Sequence, residues 1–336
     1  MTLYNNKKYI FKICNSQVEF KDDDNIIKYT ILYKIGQGSL SKVYLIESEN
    51  NLKYVIKMSL DNSDYIILEL EYIYDILKRN NILCDCIPLY SGYIVDYNRY
   101  CIIYPYFGRY NLEDINLFKL NKQDKIDIIK QIMSQLSKLT NCIHCDLKPS
   151  NIVINYDKKI TIIDYGLIKE LSDTDNILST PYITSPESLL SLDDLKKYKS
   201  EDDIIKYDKH DYYGLFFIIL TIILDKNFYN IFNSYLNKIN MKKYIYNYEL
   251  YVYCWYKFYY NDINEIKVES LKNIIKYISN KFPDFINTKF YNFNQFYDEY
   301  INNKMIKDFI YNLIHFDYNQ RELLLNNFYI NLYNDS

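Results

Sequence analysis

The stretch His144-Cys145-Asp146-Leu147-Lys148-Pro149-Ser150-Asn151, followed after a short strand by Asp164-Tyr165-Gly166, decides how the rest of the chain is read. It sets two carboxylates, an ammonium and a carboxamide at fixed places in and around a β-rich patch at 151–168. Chance does not assemble so many chemically useful positions between His144 and Gly166.

Phosphoryl transfer needs a carboxylate that orients an attacking hydroxyl and accepts its proton. It also needs a cation near the transferring phosphate and oxygen ligands for Mg²⁺. Asp146, Lys148, Asn151 and Asp164 supply these in that order. Upstream, Gly36-Gln37-Gly38-Ser39-Leu40-Ser41-Lys42-Val43 sits between two predicted strands. Without a Cβ, a glycine-rich hairpin lays backbone N–H groups against phosphates. Alone it reads equally as an ordinary hairpin turn. Tyr54-Val55-Ile56-Lys57 is a strand ending in lysine, and a lysine on a buried strand needs an anionic partner. The helix predicted over 63–79 through Ile66, Leu70, Ile73 and Leu77 offers Glu69, whose apolar neighbours Tyr72, Ile73 and Ile76 turn it inward.

Taken in chain order, these motifs resemble those of the eukaryotic-type protein kinases. Thr180-Pro181-Tyr-Ile-Thr-Ser185-Pro186-Glu187 is similar to the end of a kinase activation segment, with Ser185 where alanine is usual. Asp211-Tyr-Tyr-Gly-Leu-Phe-Phe resembles the central helix of the large lobe. Leu313-Ile-His-Phe-Asp317-Tyr-Asn-Gln-Arg321 resembles the late helix whose arginine pairs with the segment's glutamate, here Glu187. A bidentate buried pair explains an arginine there in a chain with only Arg79, Arg99, Arg109 and Arg321. The resemblance runs over roughly residues 28–326. Asp164-Tyr165-Gly166-Leu167, and Gly108 followed by Leu112-Glu113-Asp114-Ile115, are most similar to the casein kinase 1 and vaccinia-related kinase group.

The resemblance implies an α+β, two-lobed protein kinase fold, with a small β-rich lobe carrying one main helix and a larger, mostly helical lobe. Its expected layout is an N-terminal extension over 1–27 packing on the small lobe at 28–104, a hinge at 105–108, and a large lobe at 109–336. The segment 225–305 is a divergent helical region. The implied chemistry is ATP- and Mg²⁺-dependent transfer to Ser/Thr hydroxyls of proteins, Lys148 being the serine/threonine signature. Asp146 is then the catalytic base, Lys148 steadies the γ-phosphate, and Asn151 and Asp164 bind Mg²⁺. Lys57, held by Glu69, grips the α- and β-phosphates under the backbone of Gly36, Gln37, Gly38 and Ser39. Adenine packs between Ile35, Val43 and Val55 on one side and Val153 on the other. Pro105 offers a hinge carbonyl, Phe107 an N–H, and Tyr104 is the bulky gatekeeper. A scaffold that has lost catalysis and a small-molecule phosphotransferase are the alternatives. The complete catalytic set weighs against the first and the Ser-Pro-Glu segment against the second.

Four positions depart from the pattern: Ser41 for the third loop glycine, Val55 for alanine, Phe216 for a glycine of the central helix, and Cys145 for the catalytic-loop arginine. The last removes a cation that would receive an activation-loop phosphate. Activity independent of phosphorylation at Ser172, Thr174 or Ser179 is therefore expected.

Composition sets the outer limits. The 336 residues carry 40 Lys+Arg against 43 Asp+Glu, which disfavours a basic nucleic-acid binder. There are 41 tyrosines and no alanine, a pattern of AT-rich codons pointing to an AT-rich genome such as that of a large DNA virus or an intracellular parasite. The run Tyr244–Tyr260 is therefore read as a codon-biased amphipathic helix, not a base-stacking platform. Seven cysteines without a regular framework indicate reduced thiols, and Cys142-Ile-His-Cys145 lacks further zinc ligands at suitable spacing. The longest apolar run, Leu215–Leu224, covers about ten residues, short of the roughly 20 a membrane span needs. Together with the resemblance, which implies ATP and protein substrates as partners, these features predict a monomer in the cytoplasm, of a host cell if viral and without excluding the nucleus, with no nucleic acid or membrane.

Overall fold

The structure, a computed structural model, describes residues 7–38, 40–62, 65–80, 86–139, 141–171, 185, 188, 209–226, 248–260, 262–283, 295, 304–313 and 315, except for the side chains of residues 65, 68, 69, 78, 248, 251, 254, 255, 258, 305 and 306. The chain divides into two compact units. The first is Met1–Arg109 with Thr161–Gly166, and the second is Tyr110–Ile160 with Leu167–Ser336.

The first unit is built on strand alternation. Its strands are β1 (Lys8–Cys14), β2 (Gln17–Asp22), β3 (Asn25–Gln37), β4 (Ser41–Ser48), β5 (Lys53–Ser59), β6 (Tyr90–Ile94) and β7 (Arg99–Pro105). They pair in the order β1-β2-β3-β4-β5-β7-β6, and β1 returns to lie parallel to β6, so the ring of pairings closes. Successive side chains of a strand point to opposite faces. Tyr9 and Phe11 of β1, Val18 and Phe20 of β2, Tyr29, Ile46, Ile56, Ile94, Cys101 and Ile103 pack into one buried cluster. The rings of Phe11 and Phe20 lie 4.7 Å apart and those of Tyr9 and Phe20 5.0 Å apart. Residues one step along, including Ile102 and Tyr104, leave that interior. Ile102 joins Ile66, Ile67 and Leu70 of α1 (Tyr65–Arg79), with Tyr104 against them.

The sequence places an extension over 1–27 beside this lobe. The observed residues 8–14 and 17–22 are two of the barrel strands. The parallel seam is close: a Cβ on Gly92 would stand 1.9 Å from the Tyr9 carbonyl oxygen. Where the pairing stops, the Asp96 carboxylate takes the Ile13 N–H at 2.7 Å. Lys8 meets Glu71 of α1 at 2.7 Å, an exposed pair of little energetic weight.

The second unit centres on α3 (Asp211–Leu224), whose side chains from Tyr213 to Ile222 are all buried. A helix apolar all round belongs in a core. Before it in the chain come β8 (Tyr110–Asn111), α2 (Lys122–Leu136), β9 (Cys142–Ile143), β10 (Ile152–Ile154), β11 (Ile160–Ile162), whose last two residues belong to the first unit, and β12 (Lys169–Glu170). The N-terminus of α2 is closed by a reciprocal capping box between Asn121 and Asp124. Gln131 and Gln135 of α2 hold Lys158 and Ile160 of the β10–β11 turn. Lys125 reaches the Ile223 carbonyl at 3.0 Å and Asp225 at 2.6 Å, a cation at the C-terminal end of α3, where the helix dipole favours one. After α3 come α4 (Tyr248–Tyr259), α5 (Glu269–Lys281) and α6 (Lys304–Leu313). Tyr253, Tyr256, Tyr259 and Tyr260 are buried, so the described part of the tyrosine-rich run is core. Among the described residues, no helix is long and apolar enough to cross a membrane.

Two glycines are demanded by packing. Beside Gly92, Gly214 lets α3 approach the 144–151 stretch, since its Cβ would lie 1.9 Å from the Leu147 carbonyl oxygen. A Cβ on Gly38 would meet nothing within 4 Å. Gly92→Ala and Gly214→Ala should each lower unfolding stability in urea by about 1–3 kcal/mol through overpacking, while Gly38→Ala changes it little. Equal midpoints for all three variants would contradict these close approaches.

Candidate active site

The stretch 144–151 is a loop whose backbone is pinned at several points. It leaves β9 at Ile143 and ends in a single turn of 3-10 helix at Pro149–Asn151, closed by the Asn151 N–H on the Lys148 carbonyl at 2.9 Å. Asp211, the first residue of α3, accepts the His144 N–H at 2.7 Å and the Cys145 N–H at 3.0 Å on its two carboxylate oxygens. Hydrogen bonds to a charged acceptor stabilise by roughly 1.5–3 kcal/mol each. They hold Cys145 at φ +65°, a left-handed conformation that non-glycine residues adopt only under constraint. The Asp146 N–H points to His144 Nδ1 at 3.3 Å, which places the lone pair of that ring on Nδ1. His144 is fully buried and serves the backbone, as expected of a structural histidine.

Asp146 is 7% exposed, and Lys148 and Asn151 both reach its carboxylate. Lys148 Nζ donates to its Oδ2 at 2.7 Å, and Asn151 Nδ2 reaches the same oxygen at 3.1 Å and the Asp146 carbonyl at 2.8 Å. Because the amide nitrogen of Asn151 is committed to Asp146, its oxygen is the end that faces elsewhere. Burial, and next the Asp211 charge, push the Cys145 thiol well up, and burial alone does the same to Cys101. Neither is a reactive thiolate. Among the described residues, no three His, Cys, Asp or Glu side chains gather as a metal site.

The first unit carries the remaining candidates on one face of its sheet. Gly36 pairs with Val43, Val43 with Lys57, and Lys57 with Ile102, one row running across β3, β4, β5 and β7. The next row on the same face joins Leu45, Val55 and Tyr104. The alternation that sends Ile46, Ile56 and Ile103 into the barrel thus sends Val43, Val55, Lys57 and Tyr104 outward. Lys57 Nζ lies 3.6 Å from Asp164 Oδ1, so a carboxylate does face the strand lysine. The predicted partner, Glu69, falls within α1, but its side chain lies outside the described residues. Asp164 itself adopts φ +62°. Pro105 pairs with Tyr54 at the end of β7, Phe107 lies two residues beyond in irregular chain, Ile35 and Gln37 lie on β3, and Val153 of β10 pairs with Asn111 in the second unit.

Ser39, Thr180–Thr184, Pro186, Glu187, Arg321 and the sites Ser172, Thr174 and Ser179 lie outside the described residues. A feature the sequence reading missed is the company of His210. Its Nδ1 lies 2.9 Å from Ser185 Oγ and 2.6 Å from Ser188 Oγ, and its Nε2 lies 3.3 Å from the Cys145 carbonyl oxygen. No sequence spacing links these four residues.

The oxygen donors Asn151 and Asp164 suit a hard divalent cation. Mg²⁺ typically takes only one or two carboxylate-type ligands and completes its shell with phosphate oxygens and water. Each of the two side chains is thus of the donor type such an ion takes.

Comparison with known proteins agrees with this arrangement. The protein kinase domain matches residues 29–325. The serine/threonine-protein kinase CLA4 of Candida albicans is 29% identical over 191 residues, covering 52% of this chain and 19% of that protein. The serine/threonine-protein kinase pakH of Dictyostelium discoideum is 29% identical over 178 residues, covering 49% and 34%. The serine/threonine-protein kinase hippo of Drosophila melanogaster is 27% identical over 176 residues, covering 47% and 25%. The chain thus spans about a fifth to a third of the length of these relatives. Since the domain match extends from β3 past α6 and takes in the pinned loop, the chain belongs to the protein kinase domain family.

Proposed function

We propose that this chain is a protein serine/threonine kinase that transfers the γ-phosphate of ATP to Ser/Thr hydroxyls of protein substrates. The observation that carries this reading is the Asp146 carboxylate, buried, aimed by Asn151 and neutralised by Lys148 in a loop whose backbone is fixed by Asp211. In this reading Asp146 accepts the proton of the substrate hydroxyl as its oxygen bonds to the γ-phosphorus. The bond from that phosphorus to the bridging oxygen breaks, and ADP leaves. Lys148 offsets the charge on the transferred group, and Lys57 holds the α- and β-phosphates. Asn151 and Asp164 would hold Mg²⁺, which supplies charge neutralisation for the phosphates.

The face bearing Val43, Val55 and Tyr104 takes adenine in this reading, with Ile35 and Val153, and Pro105 and Phe107 supply the hinge bonds. The open space beside Gly38 supports a glycine kept for a ligand rather than for packing. The lobe layout of 28–104, hinge 105–108 and 109–336 belongs to the same proposal. So do an intracellular monomer, a source such as a large DNA virus, and kinship with the casein kinase 1 and vaccinia-related group. Free thiols at Cys14, Cys101 and Cys145 support a reducing compartment.

Purified protein incubated with Mg²⁺, γ-labelled ATP and a mixture of acidic and basic proteins should place label on Ser or Thr. Asp164→Asn should lower the rate by about 10²-fold or more, as loss of transition-state charge stabilisation does elsewhere. Label on no protein, this one included, would contradict the proposal.

A further inference from the structure

We propose that His210 is a positioning residue that couples the Ser185–Ser188 turn to the catalytic aspartate, by hydrogen bonds through both nitrogens of one buried ring. The proposal rests on the reading of Asp146 as the catalytic base. His210 is 1% exposed, Ser185 0% and Ser188 1%. A carbonyl oxygen only accepts, so the bond to Cys145 O requires the proton on Nε2. In the neutral ring Nδ1 is then an acceptor with one lone pair: the nearer hydroxyl, Ser188 at 2.6 Å, donates to it, and Ser185, 2.9 Å from the ring, donates to the Ser188 oxygen. The two hydroxyls lie 2.7 Å from each other, and the Ser188 N–H closes on the Ser185 carbonyl at 3.1 Å. Two serines and one imidazole thus form a closed triangle with its remaining N–H aimed at the loop.

The target of that N–H is what gives the ring a catalytic consequence. The Cys145 carbonyl and the Asp146 N–H belong to one peptide unit. His210 Nε2 holds its oxygen and His144 Nδ1 its hydrogen, at 3.3 Å each. The residue just before it, Cys145, sits at φ +65°. A strained residue stays put only when its surroundings over-determine it. If the Cys145 carbonyl is released, the long His144 contact alone holds that peptide, and any rotation of it displaces the Asp146 carboxylate. A displacement of about 1 Å at a reacting group can cost 10²-fold in rate. Cys145 stands where the family pattern has an arginine, and its side chain makes one long contact, to the Ile143 carbonyl at 3.8 Å. The neighbouring imidazole supplies the tie to the Ser185–Ser188 turn through the Cys145 backbone instead.

Side-chain shape makes this testable in the full-length chain. Gln places its amide nitrogen where Nε2 stands, so it keeps a donor for the Cys145 carbonyl. Asn reaches only the position of Nδ1. His210→Ala should lower kcat by about 10²-fold while KM for ATP changes less than about twofold. His210→Gln should recover most of that loss and His210→Asn should not. Should the alanine variant fail to fold, the Gln and Asn pair decides, with thermal melts as the folding control. The double variant Ser185→Ala/Ser188→Ala leaves the Cys145 bond in place. It removes the support behind the ring and should lower kcat by less than His210→Ala does, since the donor to the Cys145 carbonyl remains. Asp146→Asn is run beside them. If it is inactive while His210→Ala retains kcat, or if Asn rescues as well as Gln, the coupling role is overturned and the catalytic-base reading stands. If Asp146→Asn is itself active, the base reading falls and the positioning role falls with it.

Discussion

The Asp211 carboxylate bonds the backbone N–H groups of His144 and Cys145, and through it the 144–151 loop is anchored to α3. Its rigidity is borrowed from the helix it begins. Residues Tyr213 to Ile222 are buried on every side, Lys125 holds the far end at Ile223 and Asp225, and Gly214 brings the helix axis against Leu147. A charge at the start of an immobile helix is a fixed point. From it the loop inherits the left-handed Cys145, the placement of the Asp146–Lys148–Asn151 cluster, and the adjoining imidazole of His210. Burying these polar groups is tolerable only because each has partners.

The first unit reaches a comparable rigidity by a different route. Among its described residues, no helix is apolar all round. The sheet closes on itself, and ten largely aromatic and aliphatic side chains fill its interior. Closure removes the exposed strand edges that open sheets must protect. The strict period of two then leaves Val43, Val55 and Lys57 on the outer face, with Asp164 opposite the lysine. The barrel explains why Lys57 stays on a strand that does not slip: a one-residue shift in register would drive its charge into the aromatic interior.

Much of this was legible in the sequence where chemistry restricts residue type. Asp146, Lys148, Asn151, Lys57 and Asp164 stand out because few side chains do what they do, and the helices at 63–79 and 211–224 follow from apolar period. The observed bounds, Tyr65–Arg79 and Asp211–Leu224, lie within two residues of those expectations. What escaped was non-local. The alternation of Tyr9, Phe11, Val18 and Phe20 passes for compositional bias in a chain with 41 tyrosines, and only the parallel pairing to β6 gives it meaning. Gly92 and Gly214 read as rare glycines until the Tyr9 and Leu147 carbonyls are seen against them. His210 carried no motif at all, since its partners come from residues 145, 185 and 188.

The central claim is that the loop is held by α3 through Asp211, and amide hydrogen exchange on an Asp211→Asn variant tests it most directly. Asparagine keeps one acceptor and loses the charge. The account predicts that the amides of His144 and Cys145 lose at least about tenfold in protection, the equivalent of one charged hydrogen bond, while those of β1 and β6 keep theirs. Unchanged protection at 144 and 145 would show that the loop is held by something else.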